Sequence, residues 1–468
     1  MMLPLIIILG AILRLPGLFT DFDLDEVWSF NIVYMMKDPL QIFTNCFADT
    51  NHHLNSLFIY MMGRHSPLPL FKYRILSFVL GIGAILLIFL LALKIAKNKK
   101  PAIISAAFAA VSFPLVIYSS VARGYSSLIF FSVGAVYLLL EYLEHKERHT
   151  LWLFCACYIL GFLSHLTFVF VAIGLFVMVS LHSLRRPAPL KGKLSEIFCI
   201  FFIPASVVLL LLGRFLFNVT AGGGPQVSLQ ATFGKIALSL AGLGAAGPAA
   251  LILVILIFAM LIQGARIVLR ENADFGVFIL TSLFLAAAVI PVMHIKYKYT
   301  CFRHFLWLYP FLIILFSHFL ERAISPGRSK KALAAVFALL IIGLNFQQIA
   351  LFLKGGHRYR EAVSYIYSHT GSPEIVVTSD SDFKNFTLLN FYDHFFGRGK
   401  LTYISVAALA ENKAKPEWVI KYADINEEGE APPPGILKGK KYNYILEKRF
   451  LSYGMFSGID WILYRRQK

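Results

Sequence analysis

Asp25 and Glu26 stand side by side just after the first apolar segment, with Asp21 and Asp23 immediately before them and Trp28 after. In a chain this apolar, an acidic cluster at a membrane boundary is costly unless something uses it. A carboxylate there can deprotonate an acceptor hydroxyl. A second stretch, residues 294–304, carries the opposite charge in Lys296, Lys298 and Arg303. Such cations can neutralise a phosphate and stabilise it as it departs. Carboxylates and cations on one face suggest group transfer from a lipid phosphate. Phosphate leaves readily, so no carboxylate pair spaced across a glycosidic bond is required. Plainer roles stay open: Asp25 and Glu26 can cap an interfacial helix, and the basic stretch can anchor on phospholipid headgroups.

Whether these groups share a face depends on the elements that carry them. The chain has 468 residues, of which 58% are hydrophobic and only 15% charged. Its mean hydropathy is +0.68. A soluble chain would carry about 25% charged residues. Apolar runs fall at about 3–19, 73–96, 102–120, 125–143, 151–182, 197–217, 246–268, 275–293, 303–320 and 332–353. Each is near the ~20 residues that cross a bilayer core. The N-terminus lacks a basic region and a good cleavage site, so residues 3–19 read as a retained helix.

Basic clusters at residues 97–100, 146–148, 185–193, 266–270 and 322–331 separate the runs. Placing all of them in the cytoplasm gives one consistent alternation. Both ends of 151–182 are then inside, so that run crosses twice, with a turn near residues 161–165. The expected fold is an all-α polytopic membrane domain of about eleven transmembrane helices, N-terminus in and C-terminus out. Residues 20–72 form the first outer loop and include interfacial helices. The catalytic membrane domain covers 1–354, and 355–468 is a small extracytoplasmic α/β domain. There, 357–369 reads as a helix, while 374–378, 401–406, 418–422, 442–447 and 461–464 read as strands. Residues 427–439, with three consecutive prolines, read as a loop.

The net charge of +18 belongs to cytoplasmic loops and not to nucleic-acid binding, because the basic residues are scattered. The five cysteines have no metal-ligand spacing and imply no disulfide framework. On the outer face the same alternation collects Asp49, Asn51, His52 and Asn55, then Arg123 and Tyr125, then His165, then His304. Asp49 and His52, at i, i+3 spacing, would share a helical face and could hold a divalent metal ion or simply hydrogen-bond each other. Arg123 could snorkel to the interface, and His165 could be a satisfied polar residue at a turn.

These residues, in this order, resemble the GT-C class of membrane glycosyltransferases. The branch is that of protein O-mannosyltransferases and the aminoarabinose transferase of lipid A, in a bacterial form. The resemblance runs through Asp25-Glu26, residues 51–55, Tyr73-Arg74, residues 118–125, Ser164-His165, residues 302–310 and Tyr359-Arg360-Glu361. Where many relatives have His-Pro-Pro, this chain has His52-His53-Leu54.

The resemblance implies a polyprenyl-phosphate-linked sugar donor, an acceptor (glycan, lipid or protein) arriving from outside, and inversion at the sugar carbon, in a bacterial inner membrane. Asp25 would be the base and Glu26 its support. Arg123, Lys296, Lys298 and Arg303 would hold the phosphate, with Tyr125, His165, Asn51, Asn55 and His304 supporting. Asp49 and His52 would be the metal candidates, since some relatives use a divalent ion. The rival readings are a transporter or flippase of a lipid-linked substrate and a non-catalytic membrane scaffold.

Overall fold

A computed structural model describes residues 2–63, 65–187, 189–220, 238–239, 241–243, 248–297, 302–324, 328–371, 374–410, 415–424, 435–438, 442–451 and 459–467. The chain divides into two compact units. The first holds residues 1–18, 36–58 and 73–349, and the second holds 19–35, 59–72 and 350–468.

The first unit is helical, and every apolar run read from the sequence forms helix. Seven helices among the described residues are long and apolar enough to cross a membrane. The run 151–182 forms two helices, Arg148–Ser164 and Phe168–Arg185, with His165 ending the first. Run 102–120, expected as one helix, is broken. Lys99–Val111 stops at Ser112, and Phe113–Tyr118 restarts with Pro114 in its first turn. Proline has no N–H and its ring clashes with the carbonyl four residues back, which disfavours a continuous helix at this point. The break leaves the Phe113 N–H without a helical acceptor. Asn345 fills that role, its Oδ1 accepting from Phe113 at 2.8 Å. Two buried arginines bind backbone carbonyls nearby. Arg14, buried at the end of Met2–Arg14, donates to the Ala109 and Ala110 carbonyls at 3.0 and 2.8 Å and to Ser119 Oγ at 3.2 Å. Arg74 donates to the Gly17 carbonyl at 2.9 Å.

The second unit contains a six-stranded sheet. Its strands are β1 Ile375–Ser379, β2 Leu401–Ile404, β3 Trp418–Asp424, β4 Ile436–Lys438, β5 Asn443–Phe450 and β6 Ile459–Arg466. The order is β2-β1-β3-β6-β5-β4. β2, β1 and β3 run parallel, and β3, β6, β5 and β4 pair antiparallel. Parallel neighbours need crossovers, and the helix Lys384–Phe396 supplies the one from β1 to β2. The five expected strands all form. β4 lies within 427–439, which the prolines marked as loop, because Ile436 and Leu437 pair with Ile445 and Tyr444 beyond the prolines.

Residues 19–35, which follow the first helix, are built into this unit. Helix Leu24–Tyr34 packs Phe30 edge-on to Phe391 and Phe395 of Lys384–Phe396. Tyr392 donates its hydroxyl to the Phe22 carbonyl at 2.8 Å. Asp21 pairs with the Arg360 guanidinium and accepts from the Arg360 backbone N–H at 2.9 Å. The division at residue 354 read from composition does not register these links, because a short acidic helix carries no sign of its distant partners.

Candidate active site

The residues with chemistry in the first unit gather around the turn before helix Tyr125–His145. Asn55 donates to the Ala122 carbonyl at 2.6 Å, and Ser77 donates to the Arg123 carbonyl at 3.1 Å. These two bonds fix the turn backbone and hold Arg123 in the interior, where it is 3% exposed. Its guanidinium carbon lies 5.9 Å from the centre of the Tyr125 ring. Gly124 sits where another strand of backbone passes. A Cβ there would stand 2.0 Å from the Ser164 carbonyl oxygen and 2.9 Å from His52 Nδ1. Gly124→Ala is therefore expected to force the two loops apart and to lower stability by about 1–3 kcal/mol. Thermal unfolding of the detergent-purified protein measures this, and wild-type stability would show that the approach has slack.

His52, Tyr125 and His165 form a triangle of rings. Centroids are 5.3 Å apart for His52 and Tyr125, 4.8 Å for His52 and His165, and 5.3 Å for Tyr125 and His165. The hydrogen bonds assign the tautomers. His52 Nδ1 lies 3.0 Å from the Ser164 carbonyl, which only accepts, so the proton is on Nδ1. His165 Nδ1 accepts from the Thr167 N–H at 3.1 Å, so its proton is on Nε2. His52 thus carries a lone pair on its buried Nε2, and His165 carries a donor there. Both rings are held neutral. Burial is the first cause for each; for His52 the next is the charge of Arg123, and for His165 His304 and then Arg123. Arg303 pushes in the same direction on both. His304 is pushed down to about 3 by burial and by Arg303. The cluster is thus two permanent cations beside three neutral imidazoles, an environment suited to an anion.

A divalent metal does not fit this arrangement. Asp49 and His52 precede helix His53–Met61 and do not share a helical face. Cations dominate the charges acting on His52. Among the described residues, no group of three His, Cys, Asp or Glu is placed to hold a metal ion. Asn51 is a loop brace: it donates to the Ile42 carbonyl at 3.0 Å and accepts from Ser56 Oγ at 2.8 Å. Lys296 falls in the last turn of helix Ala273–Tyr297, not in the loop expected from the sequence. Lys298 lies outside the described residues. The sequence reading passed over Gly124 and Ser164 as fixers of the site. A glycine beside the buried Arg123 was the one available signal.

Asp25 and Glu26 belong to the second unit. Asp23 is the N-cap of Leu24–Tyr34 and forms a reciprocal capping box with Glu26. Glu26 N–H donates to Asp23 Oδ1 at 2.7 Å, and Asp23 N–H donates to Glu26 Oε2 at 3.1 Å. Such boxes satisfy two backbone donors that the helix itself cannot. Glu26 is 1% exposed and makes one half of this box. Asp25, the second residue of the helix, is half-buried and takes no part in the box.

The fold has known counterparts. ArnT from Cupriavidus metallidurans in the apo state is similar with a TM-score of 0.53 and 12% identity, over 89% of this chain and 92% of that one. The chain has the GT-C glycosyltransferase fold. The apo oligosaccharyltransferase of Archaeoglobus fulgidus shares it, with a TM-score of 0.56 and 12% identity over 90% of this chain and 69% of that one. So does ArnT bound to undecaprenyl phosphate, with a TM-score of 0.50 and 11% identity over 90% and 92% of the two chains. No curated protein sequence matches. Residues 55–221 match the family described as dolichyl-phosphate-mannose-protein mannosyltransferase. That segment takes in Asn55, Arg74, Arg123, Tyr125 and His165. The shared fold and the partial family match over residues 55–221 agree with each other, and the long apolar helices mark an integral membrane protein.

Proposed function

We propose that this enzyme moves a sugar, with inversion, from a polyprenyl-phosphate carrier to an acceptor on the outer face of a bacterial inner membrane. The observation that carries the reading is the buried Arg123, with the half-buried Arg303, beside neutral histidines. The acceptor oxygen attacks the anomeric carbon as the bond from that carbon to the phosphate oxygen breaks. The acceptor proton passes to the Asp25 carboxylate, and the polyprenyl phosphate leaves with both bonding electrons. Arg123 and Arg303 stabilise the charge that builds on the phosphate, and need no proton to do so. His165 Nε2–H is a further donor to it. Keeping the imidazoles neutral leaves the two guanidiniums as the site's fixed charge.

An apolar cavity of about 440 Å³ supports a prenyl carrier. Phe258, Leu261, Leu283, Phe305 and Leu312 are among its lining residues. Phe305 is two residues from Arg303, which suits a ligand with a charged head and an apolar tail. Incubating the purified enzyme with undecaprenyl-phosphate sugars and membrane extracts tests the reading. Release of undecaprenyl phosphate with a matching mass gain on an acceptor is expected. Transbilayer movement of the lipid-linked sugar without a new glycosidic bond would identify a flippase instead.

A further inference from the structure

The second unit exposes aromatic rings at the start of one of its helices. Phe383 is 56% exposed and Phe386 43% exposed. They flank the start of helix Lys384–Phe396, three residues apart. Trp28 meets Phe383 edge-on at 5.2 Å, and Tyr403 lies 5.0 Å from Phe386. The four rings form a ledge, and its Trp28 end stands one helical turn from Asp25 on Leu24–Tyr34.

Two carboxylates flank the ledge, and each is held by one oxygen. Asp382 Oδ1 accepts from the Tyr403 hydroxyl at 2.7 Å and from the Val406 N–H at 2.9 Å. Asp380 Oδ1 accepts from Asn385 Nδ2 at 3.1 Å and from the Tyr422 N–H at 3.3 Å. The Oδ2 atoms of both have no hydrogen bond among the described residues. Both aspartates are exposed. They follow β1, whose parallel neighbours β2 and β3 lie on opposite sides, and ligands of open α/β sheets bind beyond strand ends at such a switch point.

We propose that this ledge is the acceptor subsite and that the acceptor is a saccharide. Exposed rings offer flat apolar faces to the C–H surface of a pyranose. Pre-oriented carboxylate oxygens accept from its hydroxyls. The role as an acceptor subsite rests on the transfer reaction proposed above; saccharide binding itself does not.

Saturation-transfer NMR on the full-length protein in detergent, with glucose and N-acetylglucosamine hexasaccharides as probes, tests the inference. Binding of at least one probe at millimolar concentration is expected. Asp382→Asn keeps an oxygen for the Tyr403 and Val406 bonds but turns the outward atom into a donor. It is expected to weaken binding by about tenfold, the size of one charge-assisted hydrogen bond, and Phe386→Ala by about tenfold through loss of its ring face. Both should raise the KM for a saccharide acceptor similarly while leaving undecaprenyl phosphate binding unchanged. Phe386→Tyr should restore binding, which separates a lost ring from a lost fold. Absence of binding by both probes overturns the inference, as does equal binding by the variants or recruitment of phosphatidylglycerol vesicles through these residues. Absence of transfer from every lipid-linked sugar would remove the reaction, and the NMR result would still decide whether the ledge binds saccharide.

Discussion

Asp25→Asn is expected to lower turnover by about a hundredfold to ten-thousandfold, the contribution of a positioned general base. The fold should not change, because the capping box is made by Asp23 and Glu26 and asparagine has nearly the shape of aspartate. Donor binding should also survive, since the phosphate contacts assigned to Arg123 and Arg303 lie elsewhere in the chain. Glu26 gives the converse pattern. Its carboxylate accepts the Asp23 N–H at 3.1 Å in the interior, so Glu26→Ala should cost about 1 kcal/mol of stability. Glu26→Gln can keep that bond and should retain most turnover. Single-turnover rates and thermal unfolding on the three variants separate the roles. Wild-type turnover in Asp25→Asn removes it as the base. A Glu26→Gln enzyme as impaired as Asp25→Asn would mean that the pair works as one unit.

The membrane helices were legible because a twenty-residue apolar run has few alternatives to helix, and because a run too long for one span with basic clusters at both ends has to turn back. The broken segment at Ser112 was marked by Pro114, whose effect depends on an acceptor at Asn345 that lies 232 residues away in sequence. The strands were legible from alternation, and β4 was hidden by the prolines before it. For the site, residue types were informative and roles were not. Asp23, Asp25 and Glu26 look alike in sequence, yet two of them are spent on a helix start. Asp49 and His52 have metal-like spacing only if a helix carries them, and the helix begins one residue after His52.

Arg123→Gln is expected to lower kcat/KM by about a hundredfold to a thousandfold, the range for losing one preorganised donor to a developing anion. Arg123→Lys should recover part of this loss, since a lysine restores the charge but not the planar fork. The same substitutions have a second readout that a merely structural arginine would not move. Burial is the first cause holding His52 and His165 neutral, and the Arg123 charge acts in the same direction on both. A neighbouring cation disfavours protonation, so deleting it must raise the affinity of both rings for a proton. In the wild-type protein neither ring should titrate between about pH 5 and 8, the window in which an unperturbed histidine changes charge. In Arg123→Gln the titration of both should move upward, by less than the full amount because burial remains. In Arg123→Lys it should stay near the wild-type position. Histidine NMR of selectively labelled protein reads this directly. Unchanged imidazole titration together with unchanged kcat/KM would show that the Arg123 charge does not act in this site, and the phosphate would then need another partner.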